Sequence, residues 1–196
     1  MTDLSRREVV AAMAAAAGAF MIPKPAEAAR VAQIVARERR RGYAPKVYTP
    51  HEWATVSLLV DLIIPKDTVS GAATEAAVPE FMDTMLDLEP GMRTAHRGGL
   101  AWLDDESHRR HQHDFVDLAD AERREILDAI AYPTRARPEM ARAVAWFSSF
   151  RAFTATGFFT SEIGVTDLGY QGNTVVPEWT GCPAENYSRL GVSKPS

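Results

Sequence analysis

The chain has a single cysteine among its 196 residues. It therefore cannot build a disulfide framework, nor a cysteine-rich zinc or iron–sulfur site of its own. No apolar stretch reaches the roughly 20 residues that carry a helix across a bilayer. Basic charge is not in excess: 22 Lys and Arg stand against 26 Asp and Glu, for a net charge of −4. That balance, with a pI near 5.8, argues against a nucleic-acid partner, whose phosphates call for a basic field. Neither a GxGxxG pattern nor a Walker loop occurs, so no nucleotide site follows. Ser148-Ser149 has no flanking nucleophile-elbow glycines and no histidine near it in sequence, which leaves hydrolase chemistry unsupported. What is present is ordinary: 46% hydrophobic and 24% charged residues in 21.6 kDa, the mark of one globular domain with or without a removable segment.

Residues 1–28 read as that segment. The pair Arg6-Arg7 precedes a weakly hydrophobic, alanine-rich run of 14 residues from Val9 to Ile22. This is long enough for a signal core and too short to span a membrane. Lys24 follows, then Ala26-Glu27-Ala28, a small-x-small cleavage pattern. Twin arginines, a mild apolar core and a basic residue before the cleavage site are the features of a twin-arginine (Tat) signal. The expectation is export to the periplasm through the Tat translocase, with Ala26 and Ala28 marking the processing site.

Residues 29–48 are strongly basic, with Arg30, Arg37, Arg39, Arg40, Arg41 and Lys46 against Glu38. Val31, Ile34 and Val35 permit a short amphipathic turn before Gly42 and Pro45. The segment is expected to be a basic linker, either solvated or docked on an acidic partner.

Residues 49–163 carry helical periodicity. Thr49-Pro50-His51-Glu52 is a capping box with proline at the first helical position. Trp53, Val56, Leu59, Val60, Ile63 and Ile64 follow at three- and four-residue steps, and Pro65 ends the helix. Further helices are expected over about 79–88, 92–111 and 121–131, and one beginning at Pro138. That last segment carries Met140, Val144, Trp146, Phe147, Phe150 and Phe153 on more than one face, so it belongs at the centre. Gly98-Gly99 inside the third helix is costly, and implies either a late helix start or another backbone packed closely there. The expected fold is all-α: a single small domain of about five helices. Residues 164–196 are rich in Gly and Pro, yet contain Tyr170, Trp179 and Tyr187, which disordered tails seldom carry. They read as an extended C-terminal arm over the body or over a partner.

Little in the body looks chemical. His108 and His111 share a helix face, but spacing supplies no third metal ligand and arginines lie between them. Asp104-Asp105-Glu106 is a consecutive acidic run whose carboxylates diverge on a helix, so a solvated face is the simpler reading. Cys182, in Trp179-Thr180-Gly181-Cys182-Pro183, is either a buried free thiol or a crosslink to another molecule. No catalytic, cofactor-binding or metal-binding residue is expected. Tyr170 and Trp179 are side-chain types that anchor interfaces.

In their order along the chain, several motifs resemble the gluconate 2-dehydrogenase subunit 3 family. They are the twin-arginine leader, Thr49-Pro50-His51-Glu52 leading into Leu62-Ile63-Ile64-Pro65, and Gly98-Gly99-Leu100-Ala101-Trp102-Leu103. Glu125-Ile126-Leu127-Asp128 and Thr156-Gly157-Phe158-Phe159-Thr160-Ser161 come next. Leu168-Gly169-Tyr170-Gln171-Gly172-Asn173 and Glu178-Trp179-Thr180-Gly181-Cys182-Pro183 close the set. The resemblance implies a non-catalytic small subunit of a flavin-dependent, membrane-associated sugar dehydrogenase. In such complexes the large subunit is a flavoprotein of the glucose–methanol–choline type that holds FAD, and a cytochrome c with several haems often takes the electrons onward. The small subunit supplies the export signal and acts as chaperone to its partner. On this reading Tyr170, Asn173, Trp179 and Cys182 form the partner interface. The rival readings are a free-standing periplasmic binding protein and an enzyme built on a histidine-bound metal.

Overall fold

The structure, a computed structural model, describes residues 23–170 and 184–192. Among these residues it contains eight α-helices and no strand. The long helices are α1 (Pro25–Arg39), α2 (Pro50–Ile63), α3 (Val78–Leu88), α4 (Arg93–His111), α5 (Asp120–Ala131) and α6 (Ala141–Phe159). Two short ones follow, α7 (Glu162–Asp167) and α8 (Ala184–Leu190). The fold is all-α, as the periodicity implies.

The start of α2 follows its sequence signature. Thr49 Oγ1 accepts the Glu52 amide at 3.2 Å, and Glu52 Oε2 accepts the Thr49 amide at 2.9 Å. Together they satisfy two donors that a helix N-terminus otherwise leaves open. Glu52 also receives Arg97 of α4 at 2.6 and 3.1 Å, so the cap ties α2 to α4.

Helix α6 is the axis. It touches every other long helix as well as α7. Phe147, Phe150, Phe153 and Phe158 are buried on different sides of it, which is why its sequence shows no single apolar stripe. Helix α3 is buried nearly throughout.

Two segments differ from their sequence reading. Helix α1 runs from the last residues of the expected leader, Pro25 to Ala28, through most of the stretch expected as a basic linker, and its Ala28, Val31 and Val35 are buried against α3 and α6. Three small apolar contacts at helical spacing suffice to dock it, and Arg39 completes the attachment. Its guanidinium meets Glu80 at 2.9 Å and donates to the carbonyl of Glu75 at 3.0 Å. The stretch expected as an extended arm contains α7, capped by the Ser161 hydroxyl, which accepts the Gly164 amide at 3.1 Å, and α8.

Gly98-Gly99 also resolves. Helix α4 begins at Arg93, so it does not start late. The close neighbour is a side chain rather than another backbone. A Cβ on Gly99 would lie 1.9 Å from Trp146 Nε1, whereas one on Gly98 would meet nothing. The indole lies against the bare helix backbone and donates to the His96 carbonyl at 3.2 Å.

Candidate partner interface

Most of the polar groups inside the domain hold it together; among the described residues, buried His96 Nδ1 and His111 Nε2 are without a hydrogen-bond partner. Asp83, fully buried in α3, accepts the amides of Lys46, Val47 and Tyr48 at 2.7, 2.9 and 3.0 Å. It also accepts the Tyr43 hydroxyl at 2.8 Å. One carboxylate thus pins the segment between α1 and α2 onto α3. Burial pushes both the Tyr43 and the Tyr48 phenols well above their ordinary range, so both stay protonated. The Tyr48 hydroxyl meets His96 Nε2 at 2.8 Å. His96 stacks on Phe150 and meets the edge of Phe153. Burial lowers its pKa to about 4, so the imidazole is neutral at pH 7. Asp83, Tyr48 and His96 are buried, and Tyr43 is half-buried. Sequence reasoning missed this centre, though an aspartate amid the apolar residues of α3 was a visible clue.

The polar clusters noted in sequence are likewise spent on structure. His108 Nε2 lies 2.6 Å from Asp114, and His111 Nδ1 lies 3.5 Å from Glu122. Each histidine thus faces a carboxylate of its own, and His51 does the same with Asp104 at 2.7 Å. Among the described residues no group of three His, Cys, Asp or Glu side chains is placed to hold a metal ion. Of the acidic run, Asp104 also accepts the Phe115 amide at 3.1 Å. Glu106 is buried and receives both Arg109 and Arg110 at 2.6 Å. The diverging carboxylates expected of consecutive residues are seen, but two of the three are structural rather than solvated.

The opposite arrangement occurs where α6 ends. Phe158 is buried, while its neighbour Phe159 is 40% exposed at right angles to it. Gly164 lets α7 fold back: a Cβ there would sit 2.1 Å from the Phe158 carbonyl oxygen. Beyond α7, Leu168 and Tyr170 are 61% and 60% exposed. On its other side the loop carrying Val69, Ser70 and Gly71 faces Glu162, Ile163, Thr166 and Asp167 across an open groove of about 440 Å³. Val69, at its rim, is the most exposed large apolar residue among those described. Isolated surface hydrophobics need no explanation, but several around one short helix mark an interaction surface.

Of the residues expected at the interface, Tyr170 lies at this end of the domain. Asn173, Trp179 and Cys182 fall outside the described residues, as do Arg6 and Arg7. Ala26 and Ala28 lie in the first turn of α1, the latter fully buried. Val69 has no sequence signal, and Phe159 and Leu168 stand out only as parts of family motifs, because a period-3.6 pattern marks inward residues and says nothing of which outward ones cluster.

Comparison with curated proteins and with solved structures gives no match. A family model, gluconate 2-dehydrogenase subunit 3, matches residues 50–177. That span runs from the cap of α2 through the exposed end beyond α7, and covers well over half of the chain. The chain belongs to the gluconate 2-dehydrogenase subunit 3 family.

Proposed function

We propose that this chain is the non-catalytic small subunit of a periplasmic sugar dehydrogenase, and that it escorts and stabilises a catalytic flavoprotein of the glucose–methanol–choline type. The observation that carries the reading is the exposed apolar end around α7, within the family-matched span of a body most of whose internal polar groups are engaged with one another. A subunit that works by docking needs such a surface and needs no pocket for chemistry. The flavoprotein supplies FAD, and a haem-bearing cytochrome c is the onward electron carrier. The Arg6-Arg7 leader serves as the Tat address for both proteins, because the translocase passes folded cargo. In this reading Tyr170, Asn173, Trp179 and Cys182 contribute to the docking surface, and Cys182 is either a crosslink to the partner or a buried free thiol.

Affinity purification of the tagged chain from periplasm tests this directly. A co-purifying protein with a flavin spectrum, lost when the chain is truncated before Gly164, is the expected result. Changing Arg6 and Arg7 to Lys should strand both proteins in the cytoplasm, since lysine lacks the planar guanidinium fork. A chain that leaves the periplasm alone, monomeric and without flavin, would favour the free-standing binding protein.

A further inference from the structure

Helix α1 divides its residues sharply. Ala28, Val31 and Val35 face the body. Arg30, Arg37, Arg40 and Arg41, by contrast, face solvent. Arg30 and Arg37 lie seven residues apart, two turns along one face, and Arg40 and Arg41 follow at its C-terminal end. The four span roughly 15 Å at the helical rise. Other cations nearby have partners: Arg39 pairs with Glu80 and Lys46 with Glu38. These four side chains have no acidic or hydrogen-bonding partner among the described residues. They form a row of uncompensated positive charge on a chain whose net charge is −4.

The make-up of the row indicates its partner. Protein interfaces are anchored by aromatic or large aliphatic groups in desolvated pockets. Among the described residues, every exposed large hydrophobic lies from Val69 onward, and none lies on α1. Between Arg30 and Arg37 the exposed positions are Gln33 and Ala36, while Ile34, on the same face, is half-buried. Such a face has charge and no apolar anchor, which suits a layer of phosphate headgroups better than a shaped protein surface. Position along the chain points the same way. In the precursor, before any processing, the apolar run Val9–Ile22 ends three residues before Pro25 in sequence, so a membrane that receives the leader during export is close to the arginines along the chain. Burial of Ala28, Val31 and Val35 fixes α1 to the domain, so the face would orient the whole body.

We infer that the solvent face of α1, carrying Arg30, Arg37, Arg40 and Arg41, docks on an anionic phospholipid surface. Guanidinium groups bind phosphate oxygens through paired N–H donors. Each arginine held near an anionic membrane strengthens partition by roughly fivefold. Salt weakens the attraction, because the screening length falls from about 10 Å at 0.1 M to about 3 Å at 1 M. The inference stands whether or not the flavoprotein is the partner proposed above.

Sedimentation of the full chain with vesicles tests it. One set is phosphatidylcholine alone, the other an equal mixture with phosphatidylglycerol. The apolar leader partitions into both, so the ratio between the two sets isolates the charge. The expected ratio is about tenfold or more at 0.1 M salt, collapsing at 1 M. It should fall to near unity in the variant R30Q/R37Q/R40Q/R41Q. A control, R124Q/R135Q/R137Q/R142Q, removes four exposed arginines elsewhere and should keep it. Arg→Gln hardly changes helix propensity, and circular dichroism verifies that each variant folds. Equal binding to both vesicles would overturn the inference and leave the leader as the sole membrane element. A preference that survives in the α1 variant, or vanishes equally in the control, would overturn it too. Loss of flavoprotein capture by the α1 variant, with no vesicle preference in the parent chain, would assign the face to a protein instead.

Discussion

Asp83 and Leu168 differ sharply in exposure, at 0% and 61%, and each is the reverse of what its side chain prefers. A carboxylate lies in the interior, and an apolar side chain lies in water. The buried carboxylate is stable because four donors surround it, three of them backbone amides that would otherwise lack partners. The exposed leucine has no such compensation among the described residues. An interior anomaly that is fully satisfied holds the fold. A surface anomaly left unsatisfied is a place for a second molecule. The two regions should therefore fail differently: changes around Asp83 should lower stability, and changes around α7 should lower binding alone.

Replacing Asp83 by Ala should have the largest effect on stability, about 4 kcal/mol, because it orphans the amides of Lys46, Val47 and Tyr48 together. Urea unfolding measures it, and a loss below about 1 kcal/mol would remove Asp83 from its place as the pin.

Next is a pH dependence from His96. Its folded pKa of about 4 lies below the unfolded value near 6.5, so between those limits the unfolded chain binds the extra proton. Stability should fall with pH across that window, by at most about 3 kcal/mol in total. Other groups act at its edges. Glu106, held below the usual carboxylate range mainly by the hydrogen bond from Arg109, contributes stability that is lost at more acidic pH. His51 is raised by its hydrogen bond to Asp104, so its contribution is present below pH 6.5 and lost above it. Unfolding between pH 5 and 6 therefore reports His96, and His96→Gln should flatten the slope there.

Gly99→Ala should cost about 2 kcal/mol, since the new methyl group overlaps the Trp146 indole. Tryptophan fluorescence should shift with it, and Trp146→Phe should make the alanine better tolerated. Gly98→Ala is the matched control and should stabilise by about 1 kcal/mol, as that position is open and helical.

The smallest effect on folding is the most informative about function. Val69→Asp with Leu168→Asp should change stability by no more than about 0.5 kcal/mol and lower binding of the proposed flavoprotein partner by at least about tenfold. Unchanged binding would move the interface away from α7.

The contrast also separates what was legible in advance. Helices α2 to α6 could be read from caps, proline stops and apolar spacing, because those signals are local and α-helical periodicity is strong over ten or more residues. Helix α1 escaped because only Ala28, Val31 and Val35 are buried, amid so many charges that the stretch resembled a solvated linker. The motifs around Phe158-Phe159 and Leu168-Gly169-Tyr170 were visible, but not their meeting with Val69 across a groove.

Sequence by itself determined the helical class, the central place of α6, the lack of familiar catalytic motifs and, through ordered motifs, the family. Each is carried by residues near one another in the chain, or by composition. Tertiary structure alone decided that Asp83 should hold a segment some 36 residues before it, that Trp146 should occupy the space left by Gly99, and that Val69 should face α7. These depend on which helix faces pack together, and the energy of such a contact exists only once distant residues have been brought within a few ångströms.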